Sequence, residues 1–332
     1  MTREQKWVQY EQRWKWRDFY FNKCLRRHGF VKYFHREPVM LYYAKKWILS
    51  SAKTNDYLYQ KIVEGKPFMA CRFGNTALQT VVVHLKVKYK GHSEEDDAYL
   101  DKWFTRLGKD SGFFPVDYQY LEQFSDLILD AGANADLLAM WHLNMEDFII
   151  EEFAPNADLT FLFRLEPWLA PGRPWSAALA GKKVLVIHPF ERTIQEQYKR
   201  RALIFPDSEI LPEFELRTLK AVQTLCGEED DRFETWFDAL DYMYGQAMDI
   251  DFDIAIIGCG AYGMPLASKL KNAGKQTIHL GGATQLLFGI KGYRWEHDYP
   301  TKIASFFNDS WTRALAEETP KNAKTVEKGC YW

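Results

Sequence analysis

The chain has 332 residues, of which 47% are hydrophobic and 27% charged, with a formal net charge of −2. This composition is that of a globular protein with one large core or two smaller ones. The near-zero charge gives no basic footprint for nucleic acid. The 5 cysteines are scattered without a C-x-x-C pair, so they indicate neither a zinc site nor a disulfide framework. Because no signal peptide or apolar run of membrane-spanning length is evident, we expect a cytoplasmic protein.

Residues 1–38 are rich in aromatic and basic residues, and we predict a helical arm. Trp7, Tyr10, Trp14 and Phe21 recur at helical intervals. One interpretation is a helix that packs on the protein's own core or on a partner chain. The other is a peripheral contact with anionic lipid at the inner face of the membrane. The mixture of acidic and basic residues on the polar face favours packing.

Residues 39–170 have the pattern of a first α/β lobe. A short buried strand over 67–71 runs into Arg72-Phe73-Gly74-Asn75. A turn that carries an arginine at the carboxyl edge of a parallel sheet lies where α/β proteins bind ligands. The pattern also predicts helices over 39–62, 76–89, 99–107 and 116–129, and strands over 136–141 and 159–163.

Residues 171–310 alternate strands and helices and predict a second, Rossmann-like lobe. A strand over 184–187 is followed directly by His188. Residues 311–332 form a tail, and its two closing aromatic residues predict that it docks on the protein. Further helices are expected over 194–201, 217–225, 233–248 and 266–273, and further strands over 254–257 and 276–280.

Three glycines, Gly258, Gly260 and Gly263, follow the strand over 254–257 in G-x-G-x-x-G spacing. Such a turn offers the N–H groups of a helix N-terminus to phosphate. A dinucleotide site also needs a carboxylate about 20 residues further on, where this chain has His279 instead. We therefore expect no NAD, and we interpret the turn as a wall for the phosphates or sugar of another nucleotide. The alternative is that the glycines only permit close packing of strand and helix.

Because the carboxyl ends of parallel strands meet at one edge, we expect Arg72, His188, His279 and the glycine turn around one cleft. His188 can exchange a proton with an acceptor hydroxyl. Glu166 and Glu215 are the candidate general bases. Contacts to a donor nucleotide are predicted for Arg72, Gly74, Asn75, Arg201, Gly258, Gly260, Tyr262, Gly263, His279 and Gln285.

The segment 66–76, with Arg72-Phe73-Gly74 near its end, resembles glycosyltransferases of the GT-D fold. The blocks VLVIHPF, ILPEFEL, IIGCGAYGMPLA, IHLGGATQLLFGIKG and GCYW are similar to a bacterial group found with polysaccharide synthesis. The resemblance implies two Rossmann-like lobes with parallel sheets. It implies transfer of a sugar from a nucleotide-activated donor to a glycan or lipid-linked acceptor in capsule, lipopolysaccharide or exopolysaccharide assembly. It also implies Mg or Mn on the donor diphosphate.

The chain departs from the GT-D pattern at Ala77. The pattern has Glu there, as in R-F-G-x-x-E, and Asn75 replaces the Asp of the D-x-E form. Alanine cannot bind a metal or act as a base, so the carboxylate is dispensable, has been lost, or was replaced on purpose. Three functions follow: a glycosyltransferase, active or inactivated at Ala77; a non-catalytic nucleotide- or sugar-binding partner of a polysaccharide assembly complex; and a dinucleotide-dependent oxidoreductase.

Overall fold

The computed structural model describes residues 1–18, 41–225, 228, 230–298, 302–325 and 329–332. These residues form an α/β fold around one parallel sheet of seven strands, which confirms the predicted α/β, Rossmann-like class. A short hairpin, β1 (Tyr42–Tyr43) and β2 (Lys46–Trp47), precedes the sheet. The sheet strands are β3 (Phe68–Cys71), β4 (Leu137–Met140), β5 (Asp158–Phe161), β6 (Lys183–His188), β7 (Glu215–Lys220), β8 (Ile254–Ile257) and β9 (Gln276–His279).

Helices cover both faces of the sheet. The α-helices are α1 (Arg3–Asp18), α2 (Ser51–Glu64), α3 (Asn75–Lys90), α4 (Glu94–Ser111), α5 (Leu121–Ala133), α6 (Glu146–Phe153), α7 (Glu191–Tyr198), α8 (Arg201–Ile204), α9 (Trp236–Met248), α10 (Gly263–Asn272) and α11 (Thr284–Leu287). Shorter helical turns lie at Tyr118–Tyr120, Leu162–Leu165, Pro167–Leu169, Trp175–Leu179, Gly260–Tyr262, Gly281–Ala283, Arg294–Asp298, Lys302–Phe306, Ala316–Glu318 and Ala323–Thr325.

The strand order is β5-β4-β3-β9-β8-β6-β7, with every neighbouring pair parallel. The two halves of the chain join where β3 pairs with β9, as in Ala70 opposite Ile278. The expectation of two lobes with separate sheets is therefore corrected to one sheet shared by both halves. The physical reason is that β3 and β9 are buried along their whole length, and their pairing satisfies backbone groups that would otherwise be exposed edges.

The predicted boundary at residues 170–171 lies in the connection between β5 and β6, and the boundary at residues 38–39 lies outside the described residues. Helices α1, α3, α4, α5, α6, α9 and α10 pack on one face of the sheet. Helices α2, α7, α8 and α11 pack on the other face, together with the segment that follows α11. The neighbouring strands β3 and β9 thus send the chain to opposite faces, so their carboxyl ends form a topological switch point, which we call the crevice between β3 and β9.

The described part of the N-terminal arm packs on the protein's own core. Trp7 is fully buried, and its ring contacts Phe148 at 4.9 Å and Tyr89 at 5.6 Å between centroids. This is the packing interpretation, and it is confirmed for α1. Phe21, in the rest of the arm, lies outside the described residues. Among the residues that the structure describes, none of the helices is long and apolar enough to span a bilayer.

Two predicted helices differ from the structure, the first in its N-terminal part and the second throughout. Within 39–62, the hairpin β1–β2 comes first, with positive φ at Ala44 and Lys45, and α2 begins only after Ser50, whose side chain caps the N–H of Lys53. The helix predicted over 217–225 is also absent: residues 215–220 form the strand β7, because pairing with β6 satisfies their backbone and an edge strand tolerates charged side chains. The other predicted helices and strands occur with shifted ends.

Candidate functional site

Arg72 follows the last residue of β3 and enters the crevice. Its Nη1 donates to the carbonyl of Phe73 at 3.2 Å, and its guanidinium lies 5.7 Å from the centroid of the Trp141 ring. On the other side it lies against Gly281, where a Cβ atom would overlap the guanidinium. Gly281 has a φ of 63°, so glycine suits both the close approach and the backbone conformation.

The charge of Arg72 has no carboxylate partner among the described residues. Burial lowers the pKa of its guanidinium, while Tyr331 raises it and Arg294 lowers it. Enclosed charges in proteins are normally paired, because desolvation is costly. A partly buried arginine without an anion is therefore a place where a negatively charged ligand is stabilised.

The N-terminus of α3 lies beside Arg72. Gly74 is the N-cap residue, and no side chain caps the first turn, which contains Asn75 and Ala77. Ala77 is buried, and its Cβ lies 3.7 Å from where a Cβ of Gly74 would stand. The indole N–H of Trp141 donates to Phe73 O at 3.1 Å and fixes the turn. The uncapped N–H groups of a 16-residue helix thus reinforce the positive charge of Arg72. We call Arg72, Gly74, Asn75 and Ala77 the Arg72 corner.

His279 forms the buried wall behind Arg72. Its Nδ1 lies 3.2 Å from Ile257 O, and since a carbonyl only accepts, Nδ1 carries the proton. Burial, and then the charge of Arg72, lowers the pKa of His279 to about 3, although the bond to Ile257 opposes this shift. The imidazole is therefore neutral at pH 7 and held in one tautomer.

The glycine turn is closed where we expected it to be open. Gly258 and Gly263 are buried, and a Cβ at Gly258 would lie 2.6 Å from Gly281 O, while one at Gly263 would overlap the His279 ring. Tyr262 is also buried and stacks on Trp236 with 4.7 Å between ring centroids. The predicted ligand wall is corrected: close packing explains Gly258 and Gly263, and the Tyr262 ring belongs to the core.

Gly260, the middle glycine of the turn, is exposed and has a φ of 62°. A Cβ there would lie 3.5 Å from the carbonyl of Ser111, at the end of α4. Its conformation explains why glycine occupies this position. Its role in binding a nucleotide stays a prediction.

His188 lies at the same edge of the sheet, at the end of β6, but it is covered. The β6 and β9 strands are two positions apart, or about 10 Å. The N–H of Phe190 donates to His188 Nδ1 at 3.0 Å, and the Phe190 ring packs on the imidazole. Burial lowers the pKa of His188 to about 3. His188 is therefore a neutral and enclosed side chain, and the structure gives it no contact with the Arg72 corner.

Glu215 and Arg201 lie away from the carboxyl edge. Glu215 is the first residue of β7 and pairs with Lys183 at the amino end of β6, so the length of the strand separates it from the crevice. Arg201 pairs with Glu213 at 2.6 Å, and Glu213 is also at the amino edge, where its carbonyl accepts from Gly181. The expectation that these residues share the cleft is corrected.

Glu166 also lies elsewhere, in the connection between β5 and β6, and no hydrogen bond or ion pair joins it to Arg72 within the described chain. Burial raises the pKa of Glu166 to about 8.

Gln285 holds three backbone segments together: its Nε2 donates to Ile290 O at 3.2 Å, Lys291 O at 3.2 Å and Tyr331 O at 2.9 Å. The amide nitrogen of Gln285 is thus occupied by the protein's own backbone, and its contact with a donor stays a prediction.

The residues at the Arg72 corner do not fit a protein-bound divalent metal. Ala77 has no side-chain oxygen and Asn75 has no carboxylate, whereas hard cations such as Mg²⁺ prefer carboxylate oxygens. No group of three or more metal-ligating side chains occurs in the part of the chain that the structure describes. The positive groups present are instead those of Arg72 and the helix N-terminus.

No known protein family, curated protein or solved structure matches this chain. The geometry of the Arg72 corner is therefore what supports a function. Its arginine and helix N–H groups can hold a phosphate-bearing ligand and stabilise negative charge on it.

Glu146 is a carboxylate near this site to which sequence reasoning gave no role. It is fully buried at the start of α6, and its Oε2 accepts the N–H groups of Trp141 at 3.2 Å and Leu143 at 3.1 Å. Glu146 Oε1 has no hydrogen-bond partner in the described chain, and burial raises the pKa of Glu146 to about 8. Glu146 thus shapes the loop that places Trp141 on Arg72. In the sequence, the position of Glu146 shortly after the strand predicted over 136–141 was the signal that could have indicated this role.

Tyr331 and Arg294 also border the Arg72 corner. The Tyr331 ring lies against Gly282, and the Arg294 guanidinium lies 5.1 Å from the centroid of that ring. The tail therefore docks as its closing aromatic residues predicted. The sequence did not indicate the place where the tail docks, because the contact depends on loops that follow β9 and are distant from the tail along the chain.

Proposed function

We propose that this protein is a glycosyltransferase that binds a nucleotide-activated sugar by its diphosphate at the Arg72 corner and transfers the sugar to an acceptor hydroxyl. The observation that carries the proposal is Arg72 itself: a partly buried cation that has no carboxylate partner in the described part of the chain, beside an uncapped helix N-terminus, in the crevice between β3 and β9. The setting that the resemblance implies is assembly of a bacterial surface polysaccharide in the cytoplasm.

The chemistry needs negative charge to be stabilised on the departing nucleoside diphosphate as the bond to the sugar breaks. A guanidinium binds phosphate oxygens in bidentate fashion, and fixed N–H groups add favourable interactions without reorganisation. Arg72 and the first turn of α3 are placed for this task. The neutral His279 behind Arg72 adds no competing charge.

A non-catalytic nucleotide- or sugar-binding protein is the second candidate, and a specific observation favours it. The Arg72 corner contains Ala77 and no carboxylate, while the two predicted bases, Glu166 and Glu215, lie elsewhere. A general base must reach the proton that it removes. Binding without transfer is therefore consistent with the same geometry.

The first experiment measures binding of nucleoside diphosphates and nucleotide sugars by calorimetry. We expect Arg72→Gln to weaken binding by about tenfold or more, because it removes a charge-assisted hydrogen bond. Arg201→Gln is the matched control and should leave affinity unchanged, since Arg201 is at the opposite edge. If the natural sequence binds none of these ligands, or binds them equally well after Arg72→Gln, the proposal fails.

Turnover separates the two candidates. Transfer or donor hydrolysis by the chain with Ala77 supports the glycosyltransferase. Tight binding without turnover, both with Ala77 and in Ala77→Glu, supports the binding protein. Turnover that appears only in Ala77→Glu shows that the transfer reaction needs a carboxylate at this position.

A further inference from the structure

The loop that follows β4 brings a tryptophan ring to the Arg72 corner. Trp141 comes directly after the last residue of β4, the strand that pairs with β3. The centroid of its ring lies 5.7 Å from the Arg72 guanidinium, near the outer limit of a cation–π contact. Groups packed directly on a ring approach to about 3.5–4.0 Å. The guanidinium is therefore near the tryptophan ring without packing closely on it.

The Trp141 ring differs from the packed tryptophans of this protein. Trp7 and Trp236 are buried, and both pack against other aromatic rings. Trp141 is partly exposed, and no aromatic ring in the described part of the chain packs on it. A partly exposed indole beside an anion site is a surface that a ligand held at Arg72 can contact.

Hydrogen bonds fix both the side chain and the backbone of Trp141. Its indole N–H donates to Phe73 O at 3.1 Å, and Arg72 Nη1 donates to the same carbonyl at 3.2 Å. On the other side of the loop, Glu146 Oε2 accepts the backbone N–H groups of Trp141 at 3.2 Å and of Leu143 at 3.1 Å. The tryptophan ring and the guanidinium thus share one anchor, and a buried carboxyl group holds the loop.

The backbone of this loop is strained. His142 and Met145 have φ values of 60° and 57°, in the left-handed region that is unfavourable for residues with a Cβ. Buried side chains hold the loop in this conformation: Leu143 and Met145 within it, and Glu146 at the start of α6. Strained residues that the surrounding structure holds in place are typical of ligand-binding sites.

The short distance between ring and guanidinium selects the part of a ligand that reaches Trp141. A sugar ring bonded directly to a phosphate at Arg72 is adjacent to that phosphate, and therefore lies beside the Trp141 ring. A nucleobase lies further away, because the ribose separates it from the phosphates. The apolar face of a sugar ring can pack on an aromatic side chain while its hydroxyl groups remain in contact with water.

We propose that Trp141 is a specificity-determining residue whose indole ring holds the sugar ring bonded to the phosphate at Arg72, and that Glu146 is the positioning residue that keeps its loop in place. That this sugar phosphate is part of a nucleotide-activated sugar rests on the proposed function. The pairing of a phosphate at Arg72 with a sugar ring at Trp141 depends only on the contacts of these side chains.

The experiment uses the full chain and compares the 1-phosphates of glucose, galactose, mannose and N-acetylglucosamine with methyl phosphate, a phosphate monoester without a ring. Ligand-observed NMR at fixed pH and salt measures the affinities. We expect at least one hexose 1-phosphate to bind about tenfold more tightly than methyl phosphate. Trp141→Leu should reduce this preference to about twofold or less and leave the affinity for methyl phosphate unchanged.

Further variants separate positioning from a general loss of structure. Trp141→Phe keeps an aromatic ring and should retain most of the preference. Glu146→Ala frees the N–H groups of Trp141 and Leu143 and should lower the preference, whereas Glu146→Gln keeps an acceptor oxygen and should retain it. Trp47→Leu removes a tryptophan of β2 that is 74% exposed and should change neither affinity. A folding defect weakens both kinds of ligand alike and leaves their ratio unchanged.

Three results would overturn the sugar site. One is equal affinity of the unaltered chain for methyl phosphate and for every hexose 1-phosphate. Another is a preference that survives Trp141→Leu. The third is a gain over methyl phosphate by phenyl phosphate alone, which would assign the ring to an aromatic base. If Trp141→Leu fails to fold, the comparison of Glu146→Ala with Glu146→Gln decides, and an equal preference in these two variants overturns the inference.

The outcomes distinguish this inference from the proposed function. If nucleotide sugars bind in an Arg72-dependent way but Trp141→Leu leaves the preference for hexose 1-phosphates intact, the sugar site is wrong and the proposed function survives. If Trp141→Leu abolishes the preference but no nucleotide or nucleotide sugar binds the unaltered chain, the sugar site stands and the proposed function fails.

Discussion

At the scale of single residues, the crevice is lined by glycines whose missing side chains make room for other side chains of the protein. Gly263 and Gly281 leave space for His279 and Arg72 respectively. The same residue type that suggests a ligand-binding turn in the sequence thus serves packing in the fold. The spacing of glycines alone does not distinguish a ligand-binding turn from close packing, because both require residues without a Cβ.

The packing role of Gly263 is testable by Gly263→Ala. Its φ is −59°, so alanine adds no backbone strain, and the cost comes from the overlap with the His279 ring. We expect a loss of about 1–3 kcal/mol in the free energy of unfolding, measured with denaturant. Gly245→Ala is the control: Gly245 is inside α9 with nothing near its Cβ position, so we expect up to about 1 kcal/mol of stabilisation. Equal effects at both sites would refute the packing role.

Glu146 should make stability depend on pH. Burial raises its folded-state pKa to about 8 from an ordinary value of 4.5, so the folded state holds a proton that the unfolded state releases between these values. Stability from this group therefore falls as pH rises through that range. Burial also raises the pKa of Glu166, so Glu166 contributes in the same direction. His188 and His279 act in the opposite direction, because their pKa values are lowered to about 3 from an ordinary value of 6.5. The unfolded state binds their protons between these two pH values, so stability rises with pH in that range.

Comparison with Glu146→Gln isolates the Glu146 contribution. The amide keeps an oxygen for the N–H groups of Trp141 and Leu143 but does not ionise. We expect the variant to gain stability relative to the natural sequence between pH 5 and pH 8, by on the order of a few kcal/mol. Chemical denaturation across this range measures it. A constant difference between the two proteins would show that the Glu146 pKa is not raised.

At the scale of elements, local pattern predicted most of the structure, and tertiary pairing decided the rest. The apolar runs of β3, β4 and β8 are strands buried on both faces, as continuous apolar runs in parallel sheets are. The helix predicted over 217–225 is wrong, because residues 215–220 are the strand β7. Their strand conformation comes from pairing with β6 at the sheet edge, which the local sequence does not encode.

Part of the candidate site was likewise predictable from local sequence, and part was not. Arg72 lies at the end of a recognisable strand, so its placement at the carboxyl edge followed from the sequence. Trp141, Arg294 and Tyr331 join it through loop contacts between distant segments, and no periodicity signals such contacts. Glu166 and Glu215 were chosen as remaining carboxylates without a strand end to place them, and both lie outside the crevice.

At the scale of the whole molecule, the pairing of β3 with β9 unites segments that are about 200 residues apart. We therefore expect one cooperative unfolding transition. Far-ultraviolet circular dichroism and tryptophan fluorescence should give the same midpoint. Two separated transitions, one for each half of the chain, would contradict the shared sheet.

The molecule offers a nucleotide more than one place to bind. On the face that carries α8 there is an open groove of about 590 Å³, bordered by Trp168, Arg201 and Phe205. Its two arginines, Arg173 and Arg201, are already paired with Glu209 and Glu213 respectively. Arg72 has no such partner among the described residues. This difference in charge pairing is why we place the phosphates in the crevice rather than in the groove.

The most direct test is an experimental structure of the protein with a bound nucleoside diphosphate. We predict that the two phosphates lie within hydrogen-bonding distance of the Arg72 guanidinium and the first turn of α3. Phosphates bound in the groove beside Arg201 and Trp168, with the crevice between β3 and β9 left empty, would contradict the account.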